Sequence, residues 1–188
     1  MKIIKTQTGP IQTNTYLFEC GDAVAVVDPG AESSKILALA DNKFNKPIKF
    51  VLLTHAHWDH VGAVIDLQKQ GAKVYMHEDD MQNLERDFIP DVLLKGGEEL
   101  SLGNQTISVL HTPGHTAGSV VYKTLDTIFS GDTLFRREIG RCDFPTGNFN
   151  TMKKTLAMLF ALKGDYRVLP GHGEETTLES ERKENPYR

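Results

Sequence analysis

Short apolar runs separated by turn residues make up most of this chain, which predicts many short strands and fewer helices. Residues 3–7, 15–20 and 23–27 form the first three predicted strands, and Gly21-Asp22 is a hairpin turn between the last two. Six further runs predict strands, at residues 50–53, 74–77, 105–110, 120–123, 127–129 and 167–169. The predicted strands therefore fall in both halves of the chain.

Helical patterns interrupt these strands at five places. The predicted helices cover a segment capped by Ser33 or Ser34 that runs through Asp41, residues 61–70, a short stretch near residues 79–86, residues 150–162, and a last short helix that ends near Pro186. Thr176 and Glu179 are placed to form a capping box for the last helix. Because each half runs strands first and helices afterwards, the order favours two facing sheets, each covered by helices.

Length, charge and cysteine content narrow the class of protein. A chain of 188 residues is expected to form one domain, residues 1–188. The net charge of −4 argues against a nucleic-acid partner, which would require a basic face. We see no signal peptide and no apolar run of about 18 residues, so no membrane is expected. Cys20 and Cys142 are too few for a disulfide framework, which suits the cytoplasm.

The densest group of chemically useful side chains follows the predicted strand at residues 50–53. His55, His57, Asp59 and His60 lie within six residues. On a helix, two residues at the spacing of His55 and His57 would point roughly 200° apart, so an irregular or extended backbone is needed for both to face one ion. Since a tetrahedral ion takes three or four protein ligands, this loop nearly supplies one ion in a geometry that suggests two.

Three more candidate ligands follow other predicted strands. His115, Asp132 and His172 each lie among Gly, Pro or Thr residues in a loop that begins where a strand ends. Five of the seven histidines of the chain belong to these loops, and the remaining two are His77 and His111. We expect His77 at the surface and do not expect His111 to be a ligand. Scattered surface histidines would not cluster in this way.

The spacing His-x-His-x-Asp-His, followed by a lone His, a lone Asp and a lone His at strand ends, resembles the metallo-β-lactamase superfamily. Residues 131–135 and 139–147 are similar to the glyoxalase II-like branch, also called hydroxyacylglutathione hydrolase-like, in its short single-domain form. The resemblance implies an α/β fold, a four-layer αββα sandwich of two mixed sheets flanked by helices, with metals at one edge between the sheets.

The resemblance also implies a ligand set for two divalent metal ions. His55, His57 and His115 would hold the first ion, Asp59, His60 and His172 the second, and Asp132 would bridge them, with Asp59 and Asp132 as the catalytic carboxylates. Zinc is favoured, while iron and manganese accept the same ligands. Asp28, at the end of a predicted strand, is a candidate acceptor for a ligand histidine N–H. An ordinary turn aspartate is the alternative.

The resemblance finally implies a substrate, a small-molecule thioester that carries negative charge. Arg141 matches the basic residue that contacts such a substrate, and Phe144 lies nearby in the same loop. A solvated charged loop is the alternative for Arg141. Full-length glyoxalase II carries a C-terminal helical domain that helps to bind glutathione, and this chain ends soon after His172, so another thiol carrier is possible.

The sequence therefore favours a thioester hydrolase in which a metal-bridging hydroxide attacks the carbonyl carbon. An iron-dependent persulfide dioxygenase of the same fold and a non-catalytic metal-binding domain are the alternatives. A β-lactamase or a nuclease is not expected, and the oligomeric state is left open.

Overall fold

The computed structural model describes residues 1–84 and 87–188, which form two six-stranded sheets and their covering helices. The first sheet contains β1 (Ile3–Thr8), β2 (Thr13–Cys20), β3 (Ala23–Val27), β4 (Ile48–Leu52), β5 (Lys73–His77) and β6 (Val92–Leu94), in that order. β1, β2 and β3 are antiparallel, and β3 to β6 are parallel. The sheet is therefore mixed.

The second sheet is mixed as well. It contains β7 (Glu99–Leu102), β8 (Gln105–His111), β9 (Val120–Lys123) and β10 (Thr127–Gly131), and after the small hairpin of β11 (Leu134–Phe135) and β12 (Glu138–Ile139) come β13 (Arg167–Pro170) and β14 (Thr176–Thr177). Its strand order is β14-β13-β10-β9-β8-β7. β10 and β13 are parallel, and the other pairs are antiparallel.

Three apolar clusters stack these elements into four layers. The helices are α1 (Ser33–Phe44), α2 (Trp58–Val61), α3 (Val64–Lys69), a 3-10 helix (Glu78–Asn83), α4 (Phe149–Phe160) and α5 (Leu178–Glu184). One cluster packs α1 and α3 on the first sheet, one lies between the sheets, and one packs α4 and α5 on the second sheet. The predicted αββα order of layers is thereby confirmed. None of the described helices is long and apolar enough to span a bilayer.

Several local predictions are wrong, and each error has a physical reason. The helix predicted at residues 61–70 is split into α2 and α3, because the Ala63 N–H donates to Pro29 O at 2.9 Å. A Cβ on Gly62 would lie 2.1 Å from Gly30 O, so the chain can approach this closely only at glycine. The sequence also missed β6, β7, β11, β12 and β14, which are two to four residues long.

The helix caps differ from the prediction too. Neither Ser33 nor Ser34 caps α1, and the Ser33 hydroxyl donates instead to Asp66 of α3. Thr177, not Thr176, caps α5 by accepting the Ser180 N–H. Of the helix predicted near residues 79–86, the described part is a 3-10 helix, and residues 85–86 lie outside the described residues.

The core between the sheets generates a stability prediction. Phe129 of β10 is 1% exposed and packs against Phe18 and Tyr16 of the first sheet, with ring centroids 5.3 and 5.6 Å away. We expect Phe129→Ala to lower the free energy of unfolding by about 3–5 kcal/mol, measured by urea denaturation, because it leaves a cavity between the sheets. Leu125→Ala is the control, since Leu125 is 95% exposed and should change stability little.

Candidate metal centre

The first group of candidate metal-binding side chains comes from both sheets. His55 and His57 follow β4, and His115 lies in the loop between β8 and β9. One ligand nitrogen from each of the three lies within 4.8 Å of the others. His57 Nδ1 and His115 Nε2 are 3.0 Å apart. His57 is in extended backbone with φ −62° and ψ 147°, so the loop meets the requirement that the spacing of His55 and His57 imposed.

The second group lies next to the first. Asp59 and His60 are in the first turn of α2, directly after His57, and His172 follows β13. Asp59 Oδ2 is 3.2 Å from the Nε2 atoms of both His60 and His172. The Thr13 hydroxyl donates to the same oxygen at 2.7 Å. This group therefore combines two imidazoles with one carboxylate around a single point.

Asp132 lies between the two groups. Its Oδ1 is 3.5 Å from His60 Nε2, and its Oδ2 is 3.6 Å from the Nε2 atoms of His115 and His172. The carboxylate thus reaches a member of the first group and two members of the second. The structure brings together all seven residues that the resemblance pointed to as ligands.

Several buried polar atoms of this cluster have no hydrogen-bond partner in the described part of the chain. They include His55 Nε2, His60 Nε2 and Asp132 Oδ1. A buried polar atom without a partner costs free energy, and imidazole nitrogens and carboxylate oxygens are ligands of divalent cations. The histidine and aspartate groups are therefore positioned for metal binding, and the donor set fits two such ions.

The electrostatic surroundings divide the histidines into two kinds. Burial and the neighbouring imidazoles hold the pKa of His55 well below its ordinary value. Burial, more than any neighbouring charge, lowers the pKa of His57 to about 4. Burial alone would lower the pKa of His60, but Asp132 and Asp28 outweigh it and raise that pKa. His55 and His57 are thus neutral, as a metal ligand must be, while the surroundings of His60 favour positive charge.

Hydrogen bonds between Asp59 and the two histidines of the second group also favour positive charge. Burial alone would raise the pKa of Asp59, but hydrogen bonds from His172 and His60 outweigh burial and lower it. Burial alone would lower the pKa of His172, but its hydrogen bond to Asp59 raises it. The positive charge that these shifts favour is the charge that a bound cation would supply.

Asp28 supports two of the histidines from behind. Its Oδ2 lies 3.0 Å from His60 Nδ1 and accepts the Thr54 hydroxyl at 2.6 Å. The Thr54 oxygen is in turn 3.1 Å from His55 Nδ1. Asp28 has φ 48°, a left-handed conformation that is rare for residues other than glycine. The strained aspartate contacts one candidate ligand directly and another through Thr54, as expected of an outer support of a metal site.

Asp80, which the sequence did not single out, joins the two loops that carry the first group. It is fully buried, and its carboxylate accepts the Ala56 N–H at 2.7 Å and the Gly118 N–H at 2.9 Å. Ala56 lies between His55 and His57, and Gly118 lies three residues after His115. The only sequence signal was a cluster of acidic residues directly after a strand, which more often marks a helix start.

The loop between β12 and α4 orients His115 and lines a cavity beside the cluster. His115 Nδ1 is 2.7 Å from Arg141 O, so an N–H donated to this carbonyl leaves Nε2 facing Asp132. The cavity has a volume of about 1170 Å³ and is lined by Asp59, Asp132, Arg141 and Phe144, among others. The Arg141 guanidinium pairs with both oxygens of Asp143 and lies 4.3 Å from the Phe144 ring centroid.

His77 is not at the surface, so that expectation is wrong. It is 2% exposed, and its ring stacks on that of His111 with centroids 4.1 Å apart and planes 14° apart. Asp79 has an oxygen 3.9 Å from His77 Nδ1, which makes this trio resemble a further metal group. However, ring nitrogens bind metals in the plane of the ring, and two parallel stacked rings cannot aim at one ion.

Two facing mixed sheets with two adjacent ligand groups at one edge define an α/β metal-binding protein of the αββα class. The family model of the metallo-beta-lactamase superfamily matches residues 8–172, and the chain belongs to this superfamily. Among curated relatives, it is 36% identical to the probable metallo-hydrolase YqgX of Bacillus subtilis, over 100% of this chain and 97% of the relative. It is 31% identical to the hydroxyacylglutathione hydrolase GloC of Haemophilus influenzae, over 87% of this chain and 86% of that protein.

Solved structures extend the similarity to several members of the superfamily. The BLEG-1 B3 metallo-beta-lactamase has a TM-score of 0.92 at 31% identity, covering 99% of both chains. TTHA1623 in a di-iron-bound form has a TM-score of 0.89 at 36% identity, covering 98% of this chain and 100% of that one. ETHE1 from Myxococcus xanthus has a TM-score of 0.88 at 29% identity, covering 99% and 84%. The fold is thus common to proteins with different names.

The contacts of Asp28 generate a prediction about metal affinity. We expect Asp28→Ala to weaken metal binding by roughly 10–100-fold, because His60 and His55 lose the acceptor that holds their rings. The measurement is competition with a chelator. Asp22→Ala is the matched control, since the Asp22 side chain is 82% exposed and pairs only with Lys49 among the described residues. Equal affinity of the two variants would contradict a supporting role for Asp28.

Asp80 generates a second, site-selective prediction. Asp80→Ala should weaken binding of the ion at the His55, His57 and His115 group by roughly tenfold or more and affect the second ion less, because it frees the loops that carry the first group. Stepwise metal titration by calorimetry separates the two ions. Asp79→Ala, at a neighbouring side chain that is 53% exposed, is the control. An equal loss of affinity for both ions would contradict this selective role and would mean that Asp80 stabilises the fold in general.

Proposed function

We propose that this protein is a hydrolase of small-molecule thioesters that uses two divalent metal ions, with zinc favoured. The position of Asp132 carries the proposal, because its carboxylate lies within 3.6 Å of side chains from both ligand groups. In the proposed assignment, His55, His57 and His115 hold the first ion, Asp59, His60 and His172 the second, and Asp132 both. When bound, the ions would lower the pKa of water and stabilise negative charge that develops on the carbonyl oxygen.

The side chains of the site would perform the remaining tasks. Asp59 and Asp132 both line the cavity and would accept hydrogen bonds from the attacking water, which orients it toward the thioester carbon. Water adds its oxygen to the acyl group, the C–S bond breaks, and the thiol leaves with a proton. His115 keeps its orientation through Arg141 O, and Thr13 keeps that of Asp59. No side chain has to form a covalent bond to the substrate.

The relatives support a hydrolase. GloC of Haemophilus influenzae is named a hydroxyacylglutathione hydrolase, and such a reaction cleaves a thioester. YqgX is named a probable metallo-hydrolase. We further propose a cytoplasmic location, since Cys20 and Cys142 are both unpaired. The contact between Arg141 and an anionic thiol carrier stays a prediction. The function proposed here does not depend on a charged carrier, because Asp143 already pairs with the Arg141 guanidinium.

An iron-dependent persulfide dioxygenase is the second candidate. The di-iron-bound form of TTHA1623, at 36% identity, favours iron as a metal to test in this chain. Histidine and carboxylate ligands accept iron as well as zinc. The two functions differ in a measurable way, because a dioxygenase consumes oxygen whereas a hydrolase consumes only water.

We expect the protein, loaded separately with zinc, iron or manganese, to bind close to two ions per chain and to release thiol from a thioester. Elemental analysis gives the stoichiometry, and a chromogenic thiol reagent gives the rate. Asp132→Asn should lower the rate of thiol release by more than the roughly 100-fold that is typical when a residue supporting a metal ligand is replaced, because it alters contacts to both groups. Asp126→Asn, in the exposed turn between β9 and β10, is the control.

Two results would overturn the proposal. Oxygen uptake with a persulfide by the iron form, without thioester turnover, would replace the hydrolase by the dioxygenase. Turnover of a β-lactam but of no thioester would replace it by a lactamase, which the similarity to BLEG-1 makes a necessary comparison.

A further inference from the structure

The cavity beside the metal centre collects the exposed aromatic residues of this protein. Trp58, Phe144, Phe149 and Tyr187 are 36–46% exposed, and all four line the cavity. Every exposed Phe, Tyr or Trp in the described part of the chain is among these four. Large apolar side chains that remain exposed around one concave site mark a binding surface rather than random exposure. Ile11, which is 50% exposed, adds an aliphatic side chain to the same lining.

Three separate parts of the chain supply this aromatic rim, which we define as Trp58, Phe144, Phe149 and Tyr187. Trp58 begins α2, Phe144 lies in the loop before α4, and Phe149 is the first residue of α4. Tyr187 lies after α5, with its ring centroid 6.2 Å from that of Phe149. No single local pattern accounts for their convergence, because the fold brings together segments that are distant in sequence.

The rim begins directly at the ligand histidines. The Phe144 ring centroid is 5.4 Å from that of His57 and 6.2 Å from that of His115. On the other side, the Phe135 ring is 6.4 Å from that of His172. A molecule whose reacting carbon lies at the metal centre would therefore extend its remaining groups along aromatic surface.

The charges in the cavity lining are engaged within the protein. Apart from the metal-binding side chains, the charged residues that the described chain places in the lining are Glu138 and Arg141. Arg141 donates two hydrogen bonds to Asp143, at 2.9 and 2.8 Å. The Glu138 carboxylate accepts the Ile139 N–H at 3.1 Å, and it raises the pKa of the neighbouring Tyr187 hydroxyl. A substrate charge would have to displace these pairs, whereas an apolar group would cover aromatic surface without displacing any.

We infer that the site takes neutral thioesters that carry an extended apolar group, and that the aromatic rim selects them by the length of that group. This inference rests on the proposed thioesterase function and names the substrate class of the same site. Each methylene group that the rim covers should strengthen binding by about two- to fourfold, since removing apolar surface from water is the driving force.

Trp58 allows binding to be measured without any reaction. It is the single tryptophan of the chain and lines the cavity, so its fluorescence reports on occupancy. The probes are uncharged thioethers, the S-methyl, S-butyl and S-hexyl derivatives of N-acetylcysteamine, which resemble thioesters but cannot be hydrolysed. We expect the Kd in the metal-loaded protein to fall steadily from methyl to hexyl. A hexyl thioether that carries a carboxylate in place of the amide should not bind more tightly than the neutral one.

Variants then locate the effect. Phe149→Ala and Tyr187→Ala should each reduce the ratio of the methyl Kd to the hexyl Kd by about threefold or more. Leu125→Ala, which removes a 95% exposed side chain outside the cavity, should leave this ratio unchanged. Urea denaturation of all variants checks that the fold is retained.

Three outcomes would overturn the inference. They are a Kd that does not depend on chain length, a dependence that Leu125→Ala and Phe149→Ala change equally, and a carboxylate that tightens binding tenfold in a manner that Arg141→Ala abolishes. The corresponding S-acyl thioesters separate this inference from the proposed function. If the thioethers bind in a length-dependent way but no acyl derivative is hydrolysed, the proposed thioesterase function is wrong. The aromatic rim would then still bind an apolar ligand.

Discussion

The structure depends on one constraint, the close approach of five imidazoles and two carboxylates that cannot satisfy one another. Hydrogen bonding within the cluster leaves His55 Nε2, His60 Nε2 and Asp132 Oδ1 without partners among the described residues. The surroundings keep His55 neutral, as a metal ligand must be. Around His60 the carboxylates favour positive charge, which a divalent cation would also supply. Since binding to the folded state alone stabilises that state, the metals would also contribute to folding stability.

Both sheets are needed to build this site, because the candidate ligands follow the ends of β4, β8, β10 and β13. The core between the sheets fixes the distance between those ends. Two buried tyrosines connect them directly, since the Tyr16 hydroxyl donates to Pro170 O and the Tyr122 hydroxyl donates to Leu53 O. In each bond, a tyrosine of one sheet contacts the end of a strand in the other sheet. That strand is followed by a loop that carries candidate ligands. The packing of the core therefore also determines the geometry of the candidate metal centre.

Superfamily membership leaves the reaction open, because one fold hosts many chemistries. The names of the similar structures, a lactamase, a di-iron form and ETHE1, illustrate this range. The ligand groups determine what can be activated, while the cavity wall determines which molecule reaches them. In this chain the wall carries five aromatic side chains. Its two charged residues outside the candidate ligand groups, within the described lining, already accept hydrogen bonds from neighbours or donate them to neighbours.

The sequence by itself determined the layer order and the identity of the clustered side chains. Apolar runs, turn residues and the spacing of His55, His57, Asp59 and His60 are local features, and local features can be interpreted without a fold. Tertiary structure decided the rest. The short strand β6 forms only through parallel pairing with β5, and His77 is buried where His111 of the other sheet stacks on it. The bonds of Asp80 to two loops and the convergence of the aromatic rim likewise join residues far apart in sequence. Such contacts depend on where the whole chain places each segment, which no stretch of sequence contains.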